Sequence, residues 1–201
     1  MPLQNRVTPF GELIATPARG TLMGNRGGRL HDQNRRLTAR RWNNKAWICC
    51  RLEFNNRHRQ VWSDSYTELF FLDEVTALAA GHRPCFECRR HDADRFAALF
   101  SGKRPRARAK AMDEVLHAER LDGKAKRTHR RPIDVLPDGA MVVLDAEAFA
   151  LRRGRLLRWT ARGYVAVRRR PRGVVDVLTP PAILNVLSRG YLPLWHESAK
   201  G

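Results

Sequence analysis

The apolar positions of this chain change period along its length, and the changes mark out its elements. Residues 12–16 are a short apolar stretch with strand character, and residues 46–54 (Ala46-Trp47-Ile48-Cys49-Cys50-Arg51-Leu52-Glu53-Phe54) read as a longer strand. Residues 59–62 read as its return, across a polar turn at residues 55–57. From residue 72 to residue 80 the spacing becomes helical, with Asp73 and Glu74 suited to a first turn and Gly81 to an end. Further helices are expected over residues 86–100, with Phe96, Leu99 and Phe100 on the apolar side, and over residues 109–121, with Met112, Val115 and Leu116 together. In the last third, residues 141–144, 148–151, 155–160, 164–167 and 174–178 read as short strands of a small twisted sheet or partial barrel. Thr179-Pro180-Pro181 then opens a helix through Ser188, with Gly190 at its end.

This order predicts an α+β protein in three parts. Residues 1–100 form a metal-binding domain with a Gly-rich N-terminal segment, residues 101–133 a basic helix and loop, and residues 134–201 a β-rich module ending in a helix. The Gly-rich segment, residues 19–32, reads as a turn, with a phosphate cradle as the alternative because glycine exposes N–H groups. It matches neither G-x-G-x-x-G nor the P-loop pattern.

Charge narrows the choice of partner. The chain has 38 Lys+Arg against 20 Asp+Glu, hence 38 − 20 = +18, a field that attracts polyanions, of which nucleic acid is the abundant one. Charge alone supplies affinity for phosphate without specificity, and an incidental basic surface on a protein-interaction module would look the same. No apolar run reaches a membrane span and no apolar signal core follows Met1, so the expected location is the cytoplasm, where cysteines stay reduced.

All four cysteines lie in two places, Cys49-Cys50 and Cys85-Phe86-Glu87-Cys88. A C-x-x-C turn can put two thiolates on one cation, and a second pair would complete the tetrahedral site zinc prefers. The same spacing also serves redox dithiols and inert buried thiols. Neighbours on a strand point to opposite faces, so one of Cys49 and Cys50 is a ligand or nucleophile and the other packs.

Residues 74–88, Glu74-Val75-Thr76-Ala77-Leu78-Ala79-Ala80-Gly81-His82-Arg83-Pro84-Cys85-Phe86-Glu87-Cys88, resemble the end of the zinc domain of Ada-type DNA alkylation-repair regulators. There an alanine-rich helix runs into A-G-[FY]-R-P-C-x-x-C after a strand carrying two cysteines spaced C-x-x-x-C. The resemblance covers roughly residues 40–95 and implies four cysteine ligands on zinc, one of them accepting a methyl group from a DNA phosphotriester. Cys85 and Cys88 carry over, and Cys49 matches the first strand cysteine. The second falls on Glu53, leaving Glu53, His58, His82 or Cys50 to complete the site.

Other residues offer different chemistry. Asp113 and His117 are an i, i+4 pair with Glu119 nearby, a metal or base arrangement for phosphodiester hydrolysis if His31 folds beside it, or an ordinary helix contact. Arg83, Arg89 and Arg90 flank the C-x-x-C turn, and Lys124, Lys126, Arg127, Arg130 and Arg131 form a basic loop suited to phosphate. Trp159 reads as core, and the Arg168-Arg169-Arg170 run as surface. The resulting expectation is a nucleic-acid-binding protein, its partner DNA, stapled by zinc at Cys49, Cys50, Cys85 and Cys88. The rivals are a nuclease using His31, Asp113, His117 and Glu119, and a thiol alkyl acceptor using Cys49.

Overall fold

The computed structural model describes residues 1–56, 60–102 and 105–200. The first half holds β1 (Arg6–Val7), β2 (Leu13–Ile14), β3 (Leu22–Asn25), β4 (Ile48–Cys50), β5 (Leu69–Phe71), α1 (Glu74–Ala79) and β6 (Arg83–Pro84). Its strands form one sheet in the order β2-β1-β5-β3-β4-β6, with β1–β5 and β4–β6 parallel and the other pairs antiparallel. After it come α2 (Arg90–Ser101), α3 (Ala109–Arg120) and a hairpin of β7 (Leu121–Asp122) and β8 (Ala125–Lys126). The C-terminal sheet comprises β9 (His129–Pro132), β10 (Met141–Leu144), β11 (Glu147–Arg152), β12 (Arg155–Thr160), β13 (Gly163–Arg169) and β14 (Val174–Val177). It is antiparallel in the order β13-β12-β11-β10-β14-β9, and α4 (Pro181–Ser188) follows it. The molecule is therefore α+β, and no helix among the described residues is long and apolar enough to cross a membrane.

Three local expectations are corrected. The Gly-rich segment contains the strand β3, because Gly24 lets β4 approach: a Cβ there would stand 2.0 Å from the Ile48 carbonyl oxygen. The strand of residues 46–54 shrinks to β4, and its neighbours are β3 and β6 rather than the return strand expected at residues 59–62, whose described residues 60–62 form no strand. Arg59 and His58 lie outside the described residues. The basic loop is a hairpin followed by β9, whose Arg130 and Arg131 stand opposite Asp176 and Val175 on the sheet edge.

The short helix α1 joins the two halves. All its residues are buried, and Leu72, Val75 and Ala79 share one core with Met141, Leu157, Tyr164 and Leu178. Asp73 caps α1 by accepting from Thr76 N–H at 2.9 Å, while its other oxygen accepts from the Tyr164 hydroxyl at 2.9 Å and His196 N–H at 3.1 Å. Trp159, half-buried on this core, donates from Nε1 to Thr76 Oγ1 at 3.0 Å. Arg168 and Arg169 are exposed. Residues from both ends of the chain thus share this core.

Candidate metal centre

The site is built by the parallel pairing of two strands far apart in sequence. Gly81 ends α1 at φ +88°, a conformation open to glycine, and turns the chain so that β6 runs beside β4. Pro84 sits on that edge strand, where its missing N–H costs no sheet bond. Cys85 N–H then donates to the Cys49 carbonyl at 3.0 Å, which fixes the C-x-x-C turn against the end of β4.

Three sulfurs converge there. Cys50, Cys85 and Cys88 place their Sγ atoms within 4.8 Å of one another, close enough to hold one metal ion. Backbone N–H groups point at two of them: Glu87 N–H donates to Cys85 Sγ and Arg51 N–H to Cys88 Sγ, each at 3.4 Å. Such bonds stabilise thiolate charge and orient the sulfur. Cys85 is held well below the ordinary thiol value, first by the hydrogen bond from Cys50 and then by that from Cys88. Cys50 is pushed up, first through its hydrogen bonds to Cys85 and to Cys88 and then by burial. One negative charge is thus easily formed, and a cation is needed before the others can follow.

It is Cys50, and not Cys49, that joins the pair. The strand alternation expected at these neighbours is present, but Cys49 faces the core with Leu22, Leu69 and Phe71 and is fully buried. Burial pushes its thiol up despite the Arg89 guanidinium 3.8 Å away. Cys49 is therefore corrected as metal ligand and as reacting thiol. His82 is also excluded as a ligand: it is fully buried against Trp47 and Phe71, and its Nε2 accepts from Arg26 Nε at 3.4 Å.

A cavity of about 420 Å³ opens on the three cysteines and is also lined by Glu53, Glu68 and Glu87. Glu68 is almost fully buried, with Oε2 accepting from Trp62 N–H at 2.7 Å and Oε1 lacking a partner.

The residues expected to form a nuclease site are dispersed into structural contacts. His31 stacks on Trp62 and bonds Thr67 Oγ1 at 2.7 Å and the Ser63 carbonyl at 3.0 Å. Asp113 grips Arg83 with both oxygens, at 2.8 and 2.9 Å. His117 Nδ1 lies 3.0 Å from Arg120, and Glu119 accepts from Ala182 N–H at 2.8 Å at the start of α4. Among the described residues the cysteine trio is the one group of three or more His, Cys, Asp or Glu positioned for a metal.

Two of the arginines expected to meet phosphate are corrected likewise. Arg83 is tied to Asp113, and Arg89 is buried with Glu74 at 2.8 Å and Asp92 at 2.9 Å. Lys126 is half-buried, donating to the Ala79 carbonyl. Arg90, Lys124, Arg127, Arg130 and Arg131 remain at the surface, Arg90 beside Asp94 at 3.2 Å and Arg127 beside Asp122 at 3.6 Å. Sequence reasoning missed Glu74, whose carboxylate also accepts from the Tyr191 hydroxyl at 2.7 Å and Leu194 N–H at 2.9 Å. Its place in the first turn of a helix was legible, but not its burial. Compared with known proteins, the chain matches no protein-family model, no curated protein and no solved structure.

Proposed function

We propose that this is a nucleic-acid-binding protein carrying a zinc–thiolate centre at Cys50, Cys85 and Cys88. The observation that carries the reading is the convergence of those three sulfurs, one from the end of β4 and two from the C-x-x-C turn after β6, to within 4.8 Å. A tetrahedral zinc with Zn–S near about 2.3 Å spaces its sulfurs about 3.8 Å apart, so small side-chain adjustments suffice. The N–H donors on Cys85 and Cys88 favour the thiolate form that zinc needs. The resemblance of residues 40–95 to the Ada-type zinc domain supports the same choice of metal. With Cys50 as the strand ligand, the C-x-x-x-C spacing reaches Phe54, so the fourth ligand is not a thiol. Glu53, Glu68 and Glu87 line the same cavity as the three cysteines, and a carboxylate among them would supply it. The net charge of +18 and the exposed Lys124, Arg127, Arg130 and Arg131 support phosphate-backbone contact.

Elemental analysis and a DNA shift assay test the reading together. Wild type and Cys49→Ala retain one zinc per chain, whereas Cys50→Ser and Cys85→Ser lose it; wild type binds duplex or single-stranded DNA with an affinity that falls steeply with salt. Zinc loss in Cys49→Ala with retention in Cys50→Ser would refute the ligand set, and salt-independent or absent binding would refute the partner.

The cavity favours a second reading, in which the Cys50 sulfur accepts an alkyl group. An S–C bond forms as the C–O bond of a phosphotriester breaks, leaving a phosphodiester. A gain of about 14 Da on Cys50 after exposure to methylated DNA is its signature.

A further inference from the structure

A second cavity, of about 520 Å³, lies between the N-terminal strands and the α3–hairpin junction, away from the cysteines, and cations line it. Arg26 and Arg120 are each 1% exposed, and both guanidinium carbons stand 3.9 Å from a Trp47 ring centroid. Arg26 donates to His82 Nε2 at 3.4 Å and to the carbonyls of Arg41 at 3.4 Å and Gly11 at 2.8 Å. Arg120 donates to the carbonyls of Gly81 at 2.9 Å and Lys45 at 2.8 Å and lies 3.0 Å from His117 Nδ1. Lys126 donates to the Ala79 carbonyl at 2.5 Å. None of these acceptors is a carboxylate. The nearby Asp113 is already held in a two-point pair by Arg83.

The lining also carries Arg41 and Lys124, against a single acid, the exposed Glu12. Two buried donors there, Arg120 Nε and Trp47 Nε1, have no partner. A folded chain does not take two arginines out of water beside a half-buried lysine and unused donors without a counter-charge to offset the desolvation. Burial and then the Arg120 and Arg26 charges hold Lys126 down to about 7, in keeping with a missing anion.

We propose that this cavity binds a phosphate monoester carrying a nucleobase, either a free nucleotide or the phosphorylated 5′ end of a strand. The excess of cations suits a dianion better than a carboxylate, and arginine forks match phosphate oxygens. A bare phosphate would leave most of the space empty, since about 300–1,000 Å³ is the range of small-ligand pockets. Trp42, half-buried on the same lining with its ring 6.1 Å from Trp47 and edge-on to His117 at 5.8 Å, is the aromatic side chain against which a base would stack. The site is independent of the thiolate centre.

Thermal-shift titration of the full-length protein tests it, with AMP, inorganic phosphate and adenosine as probes up to about 10 mM, enough to register a Kd near about 1 mM. AMP raises the wild-type midpoint at lower concentration than phosphate, and adenosine has no effect. In Lys126→Met the ligand-free midpoint is unchanged or higher, because a buried unpaired charge is gone, while AMP affinity falls about tenfold or more. Trp42→Ala, altered at a half-exposed position, reduces AMP to the level of phosphate. No shift with AMP or phosphate, an equal shift with adenosine, or an undiminished response in both variants would overturn the proposal. Competition against labelled AMP then separates the sources: displacement by a 5′-phosphorylated oligonucleotide supports the strand end, and displacement by AMP but by neither oligonucleotide supports the free nucleotide. Equal displacement by the 5′-hydroxyl oligonucleotide overturns the monoester.

Discussion

At the scale of single residues, the molecule depends on charges that are buried together. Glu74 and Arg89 are almost wholly out of water, and the Glu74 carboxylate accepts from Arg89, the Tyr191 hydroxyl and Leu194 N–H. Glu74→Gln would leave the guanidinium without its counter-charge, and urea unfolding should report a loss of about 3–5 kcal/mol. A loss below about 1 kcal/mol would mean Asp92 compensates alone. Two bases, the buried His82 and the half-buried Lys126, contribute to the response to pH. Burial holds His82 well below its ordinary value, so the unfolded chain takes up a proton near about pH 6.5 that the folded one refuses. Stability should therefore fall as pH drops below about 6.5, by up to about 1.4 kcal/mol per unit, and His82→Gln should flatten that slope. Lys126 has the same sign in a higher window: with its folded value lowered from 10.5 to about 7, the ligand-free protein should gain stability as pH rises between them. Urea midpoints across pH 5 to 10 check both, and a stability maximum at acid pH would contradict them. The closeness of Cys85 and Cys88 was legible because their geometry is local. The choice between Cys49 and Cys50 was not, since alternation says that two neighbours differ in facing and not which of them faces the core.

At the scale of elements, the helices followed their local signals. Asp73 caps α1, Gly81 ends it, and Pro181 opens α4, because caps and prolines act within one turn of the backbone they satisfy. The strands of the last third likewise lie where alternation and turn residues put them. The basic segment was misread as a loop, since Arg130 and Arg131 look like solvated charge until Val175 and Asp176 are seen opposite them. An arginine-bearing edge strand is both a guard against further strand pairing and a rail of cations for the phosphate backbone. Neighbours on a strand face opposite sides, so one of the two meets a given backbone: of Arg130→Gln and Arg131→Gln measured separately, one should lower the slope of log affinity against log salt for duplex DNA by about 0.9. An unchanged slope in both would remove β9 from the interface.

At the scale of the whole molecule, α1 binds two sheets into one body. Leu72, Val75 and Ala79 pack on Met141, Leu157 and Tyr164, and Asp73 reaches Tyr164 and His196. A fragment of residues 1–102 would expose that apolar face, removing the Tyr164 and His196 donors from Asp73 and the Tyr191 and Leu194 donors from Glu74. Circular dichroism and urea titration should find it without a cooperative transition, whereas cooperative unfolding of the fragment would restore the three-part organisation. The amino-acid sequence alone settled the α+β class, the presence of four helices, though the one expected from residue 86 begins at Arg90 after a turn, and the C-terminal strands, because each depends on neighbours within a few residues. Only the tertiary structure decided that β6 lies parallel to β4, that Cys50 completes the sulfur trio, that Asp113 pairs with Arg83 and that His31 bonds Thr67 and Ser63. It alone brought Arg26, Arg120 and Lys126 to one cavity, since burial and long-range pairing depend on which surfaces meet, and no local pattern encodes that.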